Sequence, residues 1–194
     1  MKNLTQSYWN NRWKTGQTGW DIGYASPAIV HYFEGIKNKN AKILIPGCGN
    51  AYEAEALYNL GFNAITILDI SDEAVIRLNE KFDDYPEIRI ICQNFFDHSD
   101  SYDLIVEQTF FCALDPSLRK AYAEKMHQLL RTNGKLVGLL FNRDFENEGP
   151  PFGGNKAEYE ELFAPLFEIK KLEIAQNSIP QRQKNEVFIE FIKK

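Results

Sequence analysis

The sequence predicts an α/β protein built on a doubly wound, mainly parallel sheet with a C-terminal antiparallel strand, and three observations predict it. From residue 42 onward, short β-rich apolar runs alternate with stretches at helical spacing. Those runs are apolar on both faces, as in a sheet covered by helices on both sides. The last two runs, LFEIKKLEI and NEVFIEFIKK, follow each other without a helix between them and should therefore pair antiparallel. At 194 residues with 44% hydrophobic content, the chain fits one domain with a packed core.

The elements run in order along the chain. Residues 1–40, rich in Trp and Tyr, precede the first strand and are expected to cap the sheet edge or a site. KILIP (42–46) is the first strand, residues 53–60 a helix and AITILD (64–69) the second strand, which completes one βαβ unit. A helix over 72–81, IRIICQ (88–93) and YDLIVE (102–107) continue the alternation. A long helix over 117–131 is expected to stop at Asn133-Gly134, followed by the strand KLVGLLF (135–141) and a helix over 156–163. With the two final runs the sheet has seven strands.

Composition excludes several classes. A net charge of -5, with no basic run longer than Lys170-Lys171 and Lys193-Lys194, argues against a nucleic-acid partner and for a small-molecule one. No stretch reaches the roughly 18 apolar residues of a membrane span, and MKNLTQSYWNNRWK lacks the features of a secretory signal, so a cytoplasmic protein is expected. Cys48, Cys92 and Cys112 are odd in number and scattered, which suggests free thiols. His31, His98 and His127 stand at no metal or dyad spacing and read as surface or helix residues, so no metal is expected.

Pro46-Gly47-Cys48-Gly49-Asn50 occupies the turn from first strand to first helix, where doubly wound sheets bind ligands. Gly47 and Gly49 permit a tight turn with no Cβ in the way of a nucleoside, although an ordinary strand-to-helix turn would use them too. A dinucleotide site wants G-x-G-x-x-G. Here the third position is Tyr52, and Glu53 comes next, near the helix N-terminus, where a pyrophosphate would need free N–H groups. Asp69 ends the second strand 20 residues after Gly49, where a carboxylate can take both hydroxyls of a ribose. Asp69 could equally cap the next helix, though Ser71 or Asp72 is better placed for that. The pair suits S-adenosylmethionine, which has a ribose and no phosphate, better than NAD.

Longer stretches carry a resemblance. YWNNRWKTGQTGWDIGYASPAI (8–29), PGCGNAYE, LDIS, YDLIVEQTFFCALDPSLRKAYAEKMHQLL (102–130) and GPPF (149–152) together resemble the thiopurine S-methyltransferase family, in particular its plant and microbial branch of halide and thiol methyltransferases. The resemblance implies a class I, Rossmann-like S-adenosylmethionine-dependent methyltransferase that acts on a small soft nucleophile: a thiol, a halide or a thiocyanate-like anion. A thiopurine or metalloid (tellurite or selenite) acceptor is the alternative on the same fold, and a non-catalytic adenosine-cofactor-binding module the alternative outside enzymes. It further implies that Trp9, Trp13, Trp20, Gly47, Asp69, Asn94, Phe95 and Gln108 line the cofactor. Gln108 departs from the arginine or tyrosine of relatives, and PGCG, in place of PLCG, favours the thiol and halide branch.

The residues themselves support that chemistry. A desolvated sulfonium is held well by aromatic faces, which Trp9, Trp13, Trp20 and Phe95 can supply if they are not simply packed. Tyr8, Tyr24, Phe110, Phe111 and Phe152 are the apolar candidates for an acceptor pocket, with Arg143 to attract an anion. Phe110 and Phe111 fit helix packing equally well. Cys112 reads as a small core residue, and GPPFGG as either a lid or a static loop. Transfer to a soft anion needs alignment and exclusion of water more than proton transfer, so no acid or base is assigned.

Overall fold

The structure, a computed structural model, describes residues 4–146 and 148–194. Seven strands form one sheet: β1 (Ile43–Pro46), β2 (Ile65–Asp69), β3 (Ile88–Cys92), β4 (Tyr102–Gln108), β5 (Leu130–Phe141), β6 (Phe167–Ile174) and β7 (Glu186–Lys193). Their order is β3-β2-β1-β4-β5-β7-β6. β1 to β5 run parallel, and β7 lies antiparallel between β5 and β6.

Among the described residues there are six α-helices: α1 (Gln6–Lys14), α2 (Pro27–Glu34), α3 (Tyr52–Asn59), α4 (Asp72–Lys81), α5 (Arg119–Leu129) and α6 (Lys156–Phe163). α2 to α6 cover the sheet, and α1 packs on α4. Successive strand residues point to opposite faces, so ILIP and ITILD, buried at every position, feed two cores. Ile43, Ile45, Ile65 and Ile67 pack with Ile29, Phe33, Ala54, Leu57 and Leu78 of α2 to α4. Leu44, Leu68, Ile105 and Leu136 pack on the other side with Tyr122, Met126, Leu129, Tyr159 and Phe163 of α5 and α6.

Two expectations need correction. The helix expected over 117–131 is shorter, ending at Leu129, because Leu130 already pairs with Tyr102 of β4. The register then jumps to Leu104↔Lys135, and the extra residues bulge through Asn133 at φ 61°. The Asn-Gly pair thus shapes a bulge within β5 and does not stop a helix. His98, expected at the surface or on a helix, is 4% exposed with Nε2 at 2.8 Å from the Tyr102 hydroxyl.

Among the described residues, no helix is long and apolar enough to cross a membrane. At the start of α4 the Ser71 Oγ accepts the Ala74 N–H at 3.3 Å. Ser71→Ala is expected to lower stability by about 1 kcal/mol, read as a reduced urea midpoint at unchanged slope.

The strand order reverses between β1 and β4. Their carboxyl ends therefore splay apart into a crevice, and the loops leaving the strands form its walls.

Candidate active site

After β1 the chain turns through left-handed backbone at Gly47 (φ 57°), Gly49 (φ 55°) and Ala51 (φ 50°). Gly47 is needed for space as well as angle, because a Cβ there would lie 2.3 Å from the Phe110 ring. Asp69 latches this turn to the end of β2. Its Oδ2 accepts the Gly49 N–H at 3.1 Å and its Oδ1 the Ser71 N–H at 2.9 Å. Burial pushes the Asp69 carboxyl above the usual carboxylate range, against the opposing pull of those N–H donors.

The crevice holds a cavity of about 710 Å³. In strand order its walls are Gln93 to Phe96 after β3, Leu68 to Ile70 at the end of β2, Gly47 and Gly49 after β1, Thr109 and Phe110 after β4, and Phe141 and Arg143 at the end of β5. Gln181, Arg182 and Asn185, from the connection between β6 and β7, complete the far end.

The N-terminal segment forms the roof. Trp9 and Trp13 of α1 each meet Trp20 edge to face, at ring separations of 5.6 Å and 5.7 Å. α1 is fastened to α4 by polar contacts: the Ser71 hydroxyl donates to Asn10 at 2.7 Å, the Gln6 and Asn10 amides donate to Asp72, and Lys14 pairs with Glu73. The Trp20 loop is tied down twice, by Asn50 donating to Asp21 at 2.6 Å and by Arg182 donating to the Trp20 carbonyl at 3.2 Å.

Beneath the β4 side lies Glu107, fully buried. Its Oε1 accepts the N–H groups of Phe110 and Phe111 at 2.8 Å and 2.9 Å, and its Oε2 accepts the Tyr122 hydroxyl. These bonds hold a reversal through Thr109 at φ 58°, which presents Phe110 to the cavity. Burial outweighs the bonds and pushes the Glu107 carboxyl up to about 7.

Of the residues expected at a site, Trp9, Trp13, Trp20, Gly47, Gly49, Asp69, Asn94, Phe95, Phe110 and Arg143 line this one cavity. Five do not. Phe111 is 2% exposed in the core against Tyr122 and Tyr159, because the Glu107 carboxylate draws its N–H inward. Tyr24 is 48% exposed, and Tyr8 stands outside the lining with its ring against Trp9. Phe152 contributes its N–H, donated to the Cys112 carbonyl at 2.7 Å, while Gln108 is drawn into the sheet opposite Leu139. Cys112, read as core, borders the cavity.

GPPFGG is a wall: Pro150 and Pro151 line the cavity, and Gly154 bridges to Arg143, its N–H donated to that carbonyl at 3.1 Å. Arg12, Phe141, Phe145 and Arg182 also line the cavity and were not anticipated. Arg12 had a signal, a cation set between two tryptophans of the same helix. Arg182 had none, since only strand order brings residue 182 to the site.

A sheet in this order, with a glycine turn after β1 latched by the acid that ends β2, is the frame of a class I S-adenosylmethionine-dependent methyltransferase. Solved structures share the fold. Magnesium protoporphyrin IX methyltransferase from Synechocystis PCC 6803 with bound SAM superposes with a TM-score of 0.75 at 11% identity, over 100% of this chain and 99% of that one. The 1,6-didemethyltoxoflavin-N1-methyltransferase of Burkholderia thailandensis gives 0.76 at 15% identity, over 98% and 88%.

The sequence profile of the thiopurine S-methyltransferase family matches residues 4–194, and the chain belongs to that family. It is 36% identical over 171 residues to an Arabidopsis thaliana protein named "Probable thiol methyltransferase 2", covering 86% of this chain and 75% of the relative. It is 29% identical over 191 residues to thiocyanate methyltransferase 1 of the same plant, covering 95% and 84%. The enzyme is an S-adenosylmethionine-dependent methyltransferase, with that molecule as its cofactor.

Proposed function

We propose that this cavity methylates a small soft nucleophile, a thiol, a halide or a thiocyanate-like anion. One observation carries the reading: the half of the cavity beside β4, β5 and β7 is aromatic and cationic, and it holds no base. Phe110, Phe141, Phe145, Pro150 and Pro151 line it with Arg143 and Arg182, and among the described residues the lining has no histidine and no carboxylate but Asp69. An acceptor that is already an anion needs attraction, alignment and dryness, which this wall offers, and needs no proton removed. The names of the relatives, a thiol and a thiocyanate methyltransferase, support the same acceptor class.

S-adenosylmethionine, when bound, supplies an electrophilic methyl group on a cationic sulfur. The residues suit it. Asp69, a buried carboxylate facing the cavity, matches ribose hydroxyls, and Asn94 and Phe95 lie on the neighbouring strand end, where an adenine would reach. Gly47 and Gly49 keep the turn free of side chains, and the three tryptophans offer faces to a cation. Residues 1–40 serve as the cap over this half, their first three lying outside the described residues. A small-molecule acceptor, no nucleic-acid partner and a cytoplasmic location complete the reading.

A thiopurine is the second acceptor reading, and the volume favours it. About 710 Å³ lies in the upper part of the roughly 300–1,000 Å³ range of ligand pockets and has room for an aromatic acceptor beside the cofactor.

The test is release of S-adenosylhomocysteine with hydrosulfide, thiocyanate, iodide, an aromatic thiol, 6-mercaptopurine and tellurite. Turnover with the small anions is expected. Turnover with 6-mercaptopurine or tellurite alone would move the acceptor to the thiopurine or metalloid class, and cofactor binding with no turnover on any would favour a binding module.

A further inference from the structure

The charged groups on the cavity wall among the described residues are Asp69, Arg12, Arg143 and Arg182. Three cations exceed what one acceptor anion needs. Arg182 is committed: it pairs with Glu186 at 3.3 Å and donates to the Trp20 carbonyl. Arg143 comes after β5, separated from the glycine turn by the whole width of β4.

Arg12 is different. Its guanidinium stands over the Trp20 ring at 5.3 Å, and its polar partners are neutral: Nε donates to the Gln17 carbonyl at 2.9 Å, and an Nη lies 3.5 Å from the Tyr8 hydroxyl. Trp20 in turn covers the glycine turn, where a Cβ added at Gly49 would meet the Trp20 indole nitrogen at 3.8 Å. The stack from Gly49 through Trp20 to Arg12 therefore rises from the glycine turn that the Asp69 latch holds, at the β1 side of Asp69, whereas Asn94 and Phe95 follow β3 on its other side.

The cofactor has three arms: adenine, ribose, and an amino acid that carries a carboxylate. With adenine toward β3 and ribose at Asp69, the amino-acid arm has to leave past the glycine turn. We propose that Arg12 seats the carboxylate of that arm. Trp20 and Gln17 hold the guanidinium in place beforehand, so little side-chain freedom is lost when the charged hydrogen bonds form. The assignment rests on the cavity being the cofactor site with Asp69 at the ribose.

Titration calorimetry with two ligands tests it: S-adenosylhomocysteine, and S-adenosyl-3-thiopropylamine, the same molecule without its carboxylate. Arg12→Ala and Arg12→Gln are expected to weaken the first about ten- to hundredfold and leave the second within about twofold, with Arg12→Lys in between. Retained binding of the second ligand shows that the variant is folded and its roof intact. Equal losses for both ligands would make Arg12 a prop for the roof and overturn the proposal, as would no loss for either. Failure of the wild type to bind either ligand would sink the cofactor site itself, and this assignment with it.

Discussion

Asp69→Ala is expected to weaken S-adenosylhomocysteine binding by about 1 to 3 kcal/mol, roughly five- to 150-fold. Two losses add up: the charged acceptor proposed for the ribose hydroxyls, and the latch on the Gly49 and Ser71 N–H groups that fixes the glycine turn to β2. Asp69→Asn removes the charge that burial disfavours but leaves one acceptor oxygen for two N–H groups, its NH2 facing either the Gly49 or the Ser71 donor, so it should bind less well and unfold at or below the wild-type midpoint. Calorimetry and urea unfolding on the same samples check this, and an unchanged affinity would remove Asp69 from the site.

Glu107→Ala is expected to cost about 3 to 5 kcal/mol of stability, since it strands the Phe110 and Phe111 N–H groups and the Tyr122 hydroxyl in a dry interior. Glu107→Gln can meet all three, its oxygen accepting the N–H groups and its amide donating to Tyr122. The two forms should then part company with pH. The carboxyl titrates near 4.5 when unfolded and near 7 when folded, so between those values the folded protein keeps a proton that the unfolded chain has released. Wild-type stability accordingly falls as pH rises from about 4.5 to about 7, by on the order of 3 kcal/mol from this group, and is flat in this term outside that window. Glu107→Gln should match the wild type near pH 4.5 and exceed it at pH 8, which urea unfolding at the two values would read directly.

The parts of the fold legible in the sequence are those that local backbone physics dictates. The unbroken apolar runs ILIP and ITIL mark the central strands, two glycines after β1 mark a left-handed turn that a Cβ at Gly47 would block, and an acid ending β2 marks the latch. The parts that were hidden depend on what pairs with what. β5 starts five residues early because Tyr102 offers a partner to Leu130. Phe110 and Phe111 are identical as letters, and a buried carboxylate three and four residues earlier decides that one faces the cavity while the other joins the core. Arg182 belongs to a connection between two strands, and it reaches the site only because β7 inserts between β5 and β6. Tyr24, aromatic and near the tryptophans in sequence, lies beyond the Asp21 tie and faces solvent.

That insertion sets a timetable during synthesis. β7 leaves the ribosome after both strands it separates, so β5 keeps a bare edge along Lys135 to Phe141 until residues 186–192 arrive to cover it. The glycine turn, Asp69 and the tryptophans of the roof are all present in the nascent chain well before that point, whereas Arg182 lacks its partner Glu186 until β7 begins. The chain is thus made in the order of the proposed reactants: every residue proposed for the nucleoside is synthesised first, and the wall proposed for the methyl acceptor is finished only with the last strand.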